Sequence, residues 1–203
     1  MKLSSNSISK SKTVLAMVLS ISLIATGCSA QWISVALADL PVLTQMALNI
    51  GTIITTLESG QQISPGEAAA IQNISAQAGK DLNLLATLYN EYKANPSASV
   101  LQKIQSAIAD INQGLPALLQ AAHISDPILS SRLAAGVNLI LTTVASFAAL
   151  IPQTSTQLVA AKVTRSQVTI PKASDLKKQW NQQVCGPTSN SALDFGAAGC
   201  TVR

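Results

Sequence analysis

The chain has 203 residues, of which 48% are hydrophobic, 11% charged and 3% aromatic, with a formal charge of +4. Such a length supports one domain with a substantial core. Six aromatic residues scattered over the chain and no clustered basic face leave nothing on which bases would stack or phosphates collect, which sets a nucleic-acid partner aside.

The first segment begins with Lys2, Lys10 and Lys12, continues without charge from Val14 to Ala25, and ends in small residues before Cys28. An apolar run of about a dozen residues is short for a membrane span, which needs roughly 20, and reads as a cleaved export signal over residues 1–27. Ala25-Thr26-Gly27-Cys28 resembles the processing and lipid-attachment signal of bacterial lipoproteins, with Ala25 where those signals usually carry Leu. The resemblance covers only about the first 29 residues. It implies cleavage before Cys28, acylation of that cysteine and a membrane-bound protein; Ser29, in place of an Asp, implies delivery to the outer membrane. Two rival readings stay open. Cys28-Ser29-Ala30 is itself a small-x-small site for ordinary signal peptidase, which would release a soluble periplasmic or secreted protein starting at Gln31, and the segment would serve as an anchor if left uncleaved.

Loss of residues 1–27 removes three of the thirteen Lys and Arg and leaves ten against nine Asp and Glu, a nearly neutral mature chain. Its charge is uneven. Residues 28–151 hold four cations and seven anions, whereas residues 152–203 hold six cations and two anions. The basic tail then either lies on the acidic bundle, contacts an anionic lipid or polymer, or is simply solvated.

Residues 28–38 are expected to form a lipidated tether, followed by four helices over 39–152. In the first, Leu43, Met46, Ala47, Ile50, Ile54 and Leu57 form an apolar face opposite a polar stripe of Gln45, Asn49, Thr52, Thr56 and Ser59. Asp39 is placed to cap it, with Pro41 in the first turn and Gly60 after its end; a start near Gln31 would put Pro41 inside the helix, as a kink. The second opens with Ser64-Pro65-Gly66-Glu67, which combines a capping serine, a first-turn proline and a glutamate that closes a capping box. Its face runs Ile71, Ile74, Ala78, Leu82, Leu85, Leu88, Tyr89 and Tyr92, and Asn95-Pro96 stops it. The third places Leu101, Ile104, Ile108, Ile111, Leu115, Leu118 and Leu119 together, with Gly114 and Pro116 as points of bending. The fourth starts at Ser125-Asp126-Pro127 and runs to Ile151 before Pro152. Its charge-free stretch from Leu133 to Ile151 is long enough to span a bilayer, but Asn138, Thr142 and Ser146 give it a polar edge, as a bundle helix has. Short connections make neighbouring helices antiparallel, so the expected fold is all-α: an up-down four-helix bundle with an irregular C-terminal tail closed by a disulfide.

In that tail, residues 153–203, a short helix is expected around Ser155 to Lys162 and a second over Asp175 to Val184, capped by Ser174 and carrying Leu176 and Trp180. Cys185 and Cys200 flank a loop-like end with Gly196 and Gly199, and in an oxidising compartment they pair once Cys28 carries lipid.

Residue types offer little for chemistry. His123 is the sole histidine, the carboxylates are dispersed, and no phosphate loop or serine elbow is present, so neither a catalytic site, a metal site nor a cofactor is expected. A Cys185 or Cys200 nucleophile with His123 would require reduced thiols. Lys80 with Asp81, and Glu91 with Lys93, read as solvated helix surface. Trp32, close to Cys28, suits either a lipid headgroup region or packing on the bundle. The sequence therefore points to a non-catalytic lipoprotein, held to a membrane through Cys28 and acting as a structural or interaction module with an unidentified envelope protein. The alternative is a binding protein that carries an apolar small molecule or lipid between the helices.

Overall fold

The computed structural model describes residues 8–59, 63–121, 127–151, 170–187 and 200–202, with the side chains of residues 8–32 and of Ser59 left aside. The described residues form α1 (Ile8–Ser59), α2 (Pro65–Ala94), α3 (Ala98–Ala121), α4 (Pro127–Leu150) and α5 (Ala173–Gln183), with no strand among them. Gly60, His123, Ser125, Asp126, Pro152, the expected short helix at 155–162, and Gly196 with Gly199 lie outside the described residues.

The four long helices pack in chain order, α1 on α2, α2 on α3 and α3 on α4, and α4 returns to α1 to close the bundle. The reason lies in the spacing of their buried residues. Buried positions follow one another by alternating steps of three and four: Ile33, Ala36, Leu40, Leu43, Ala47, Ile50, Ile54 and Leu57 on α1, and Ala68, Ile71, Ser75, Ala78, Leu82, Leu85 and Tyr89 on α2. The same spacing runs through Leu101, Ile104, Ile108, Ile111, Leu115 and Leu118 on α3, and Leu129, Leu133, Gly136, Ile140, Thr143 and Phe147 on α4. A seam that repeats every 3.5 residues keeps one stripe of each helix on its neighbours and favours shallow left-handed crossings.

Helix α1 passes through Pro41 instead of starting at it. A proline inside a helix removes one hydrogen bond and crowds the preceding turn, at about 3 kcal/mol. Ile33 and Leu40, 3% and 0% exposed, enter the core only if the helix extends back before Pro41, and burying two such side chains contributes about 3–6 kcal/mol. Burial outweighs the proline. Asp39 is consequently an interior residue of α1, not its cap.

At the α1–α2 contact the backbones approach closely. The Ser75 hydroxyl donates to the Ala47 carbonyl and accepts from the Gly51 N–H at 3.1 Å, so it stands between the two ends of one i→i−4 step of α1. A Cβ at Gly51 would lie 3.2 Å from Ser75 Oγ, and one at Gly79 would lie 3.0 Å from the Leu48 side chain. The start of α2 is fixed locally by the expected capping box: the Glu67 N–H donates to Ser64 Oγ, and the Ser64 N–H donates to Glu67 Oε2 at 3.1 Å. Helix α3 continues through Pro116.

Helix α5 lies against both α1 and α4. Leu176, Trp180, Val184, Cys200 and Val202 belong to the same buried cluster as the bundle, so the described part of the tail is built into the core.

Candidate functional site

Two places could carry function: the position of Cys28, and the clasp that fastens the C-terminal segment to the bundle. Cys28 lies on the helical backbone of α1, five residues before Ile33, the first buried core residue described. Trp32 shares that backbone, and the side chains of both lie outside the described residues. The α1–α2 register fixes the height of this end. Gln72 donates to Thr55 at 3.1 Å, Ser75 meets Gly51 and Gly79 meets Leu48, so each step back along α1 is matched by a step forward along α2. Carried on, Ile33 lies level with Ala94, and the α2–α3 turn at Asn95 to Ser97 lies level with residues 30–32.

The clasp is centred on the disulfide between Cys185 and Cys200, whose Cα atoms are 5.7 Å apart across a sequence separation of 15. The Cys200 carbonyl accepts two hydrogen bonds, from Trp180 Nε1 at 2.8 Å and from Asn49 Nδ2 at 2.8 Å. One carbonyl thus ties the C-terminus to α5 and to α1 together. The side-chain amide of Asn181 pairs with the backbone of Val202, accepting from its N–H at 3.0 Å and donating to its carbonyl at 3.3 Å. On the other side, buried Arg132 of α4 donates to the Gly186 carbonyl. The Trp180 ring lies against Gly136, where an added Cβ would come within 2.9 Å of Cζ3.

At the opposite end of α5, Asp39 does what Ser174 was expected to do. The N-cap residue of α5 is Lys172, which makes no side-chain capping bond, and Ser174 lies inside the first turn. Instead, the Ala173 N–H donates to the Asp39 carboxylate, which reaches across from α1. Orphan N–H groups and the positive end of the helix dipole suit a carboxylate there. Burial nevertheless dominates: Asp39 is 1% exposed, its Oδ2 accepts no hydrogen bond among the described residues, and desolvation raises its pKa to about 6 against the opposing pull of Ala173.

Comparisons with family profiles, with curated proteins and with solved structures find no match to this chain.

The remaining expected groups fall into place as packing or surface. Tyr89 is buried edge-on to Phe147, with ring centroids 6.4 Å apart, and desolvation pushes its phenol pKa up. Tyr92 is half-buried; Lys80, Glu91 and Lys93 are exposed, and Asp81 accepts from Gln77 Nε2 at 2.8 Å. Among the described residues no three His, Cys, Asp or Glu gather where a metal ion would sit. The structure therefore brings Cys185 and Cys200 together and keeps them far from Cys28: Asn49, which holds Cys200, lies about 32 Å along α1 from Cys28. By its spacing Asn49 belongs to the polar stripe of α1, yet it is 8% exposed and faces the C-terminal segment. Asp39 did carry a signal of its own: it is the only charged residue between Lys12 and Glu58.

Proposed function

We propose that the protein is a lipoprotein of the bacterial cell envelope, acylated at Cys28, whose helical domain is a non-catalytic structural or interaction module. The observation that carries this reading is the order of features at the N-terminus: three lysines, a charge-free run, Ala25-Thr26-Gly27-Cys28, and then a helix that enters the core within five residues. Acyl chains hold a protein at a membrane without a transmembrane helix. Among the described residues, two helical stretches, Ile33–Glu58 and Pro127–Leu150, are long and apolar enough to cross a membrane. Both carry buried heptad stripes committed to the bundle, and α4 keeps Asn138 and Thr142 exposed, which supports a folded domain outside the bilayer. Ser29 supports the outer membrane as the destination, in the manner of enterobacterial sorting. The test is metabolic labelling with palmitate followed by fractionation. The wild-type protein takes up label and sediments with membranes, whereas Cys28→Ala is unlabelled and soluble; membrane retention of the variant contradicts the assignment.

A further inference from the structure

An acyl anchor normally leaves open how a domain sits over the membrane, because a flexible stretch separates it from the lipidated cysteine. Here no such stretch exists. The α1 backbone is helical through Cys28 and onward to Ser59, with no glycine or proline between Cys28 and Leu40. The register with α2 places the Asn95–Ser97 turn level with residues 30–32, which is within about one helical turn, ~6 Å, of Cys28 along the axis. The headgroup layer on each side of a bilayer is itself about 5–8 Å thick.

The charge at this end does not oppose contact with lipid. Among the described residues, exposed Lys93 and Glu91 offset each other at the end beside Cys28, and α4 finishes there with the uncharged Ala148-Ala149-Leu150. The far end holds half-buried Glu58 and Glu67, with Arg132 five residues into α4 on the same side of the bundle. A nearly uncharged end beside the anchor meets lipid headgroups without charge repulsion.

Resting on the lipoprotein reading above, we infer that the α2–α3 turn end of the bundle is a membrane-docking surface, so that the helices stand on the lipid headgroups with the α1–α2 connection pointing away. The competing posture lays the bundle on α5, whose Lys172 and Lys178 are exposed beside the uncharged outer faces of α1 and α4. In the upright posture those lysines are well clear of the headgroups: Asp39, which meets the start of α5, lies about 16 Å along α1 from Cys28.

With Cys28 acylated and Cys185 bonded to Cys200, an added cysteine is the only free thiol, so a single fluorophore can be placed at will. Ala98→Cys marks the turn end, Ala69→Cys the far end and Gln182→Cys the outer side of α5, all at exposed positions. The lipidated variants are reconstituted in vesicles of phosphatidylethanolamine and phosphatidylglycerol, floated, and titrated with a headgroup-labelled nitroxide lipid. The expected result is loss of most fluorescence from the probe at 98 and little from those at 69 and 182; position 69 lies about 38 Å from the end of α2. Quenching at 182 equal to or above that at 98 establishes the side-lying posture and overturns the inference. So does bound protein quenched at none of the three, which would mean a bent tether. Protein that fails to float and takes up no palmitate removes the anchor itself, and the docking surface with it.

Discussion

Replacing Asp39 by Asn separates the charge of this residue from its hydrogen bond. The amide oxygen of D39N still accepts from the Ala173 N–H, while the desolvated negative charge is gone. In the folded chain the Asp39 carboxyl titrates at about 6, against an ordinary value of 3.8. Since the folded-state pKa lies above the unfolded one, the native chain binds the proton more tightly. Wild-type stability at this site therefore rises as pH falls through about 6 and levels off near 3.8, where the unfolded carboxyl takes up its own proton. The difference corresponds to about 3 kcal/mol between the two limits. At about pH 7.5, where the charge is fully developed, D39N should be more stable than wild type by about 1–3 kcal/mol, the lower figure allowing for the lost attraction of a carboxylate to a helix N-terminus. Near pH 4 the two should converge. Guanidinium denaturation followed by far-UV circular dichroism across this range reads both quantities. Equal stabilities at pH 7.5, or parallel pH profiles, would show that water reaches Asp39 and that its burial carries no electrostatic penalty.

Reducing the Cys185–Cys200 bond, which closes 15 residues, should lower the unfolding free energy by about 3 kcal/mol in the chain-entropy description. For a chain of this size that is a drop of roughly 6–12 °C in midpoint, measured by calorimetry with and without reductant. Two glycine-to-alanine changes should act in opposite directions in the same denaturation assay. Gly136→Ala puts a Cβ 2.9 Å from the fully buried Trp180 ring and should destabilise by about 1–3 kcal/mol, whereas Gly114→Ala, exposed in α3 with nothing within 4 Å, should stabilise by about 0.5–1 kcal/mol. A neutral Gly136→Ala would mean that Trp180 shifts freely and that the clasp is loosely packed.

The sequence by itself determined the helices and much of their ends. Apolar spacing marks the buried stripe of each long helix, Ser64 and Glu67 cap α2 within four residues, and Cys185 and Cys200 pair across a short loop; each rests on residues close together in the chain. The proposed tether at Cys28 rests on the sequence in the same way, because a processing signal is a local pattern. Tertiary structure decided the rest. Asp39 reads locally as a cap for the helix that follows it, and becomes the cap of a helix more than a hundred residues later because the burial of Ile33 and Leu40 carries α1 past Pro41. Asn49 reads as one member of a polar stripe, and becomes a buried donor because the carbonyl that needs it lies 151 residues away. A polar side chain on a helix shows its spacing in the sequence but not its partner. Where that partner is a backbone group brought in by another segment, only the packed chain settles whether the side chain meets water or holds the fold together.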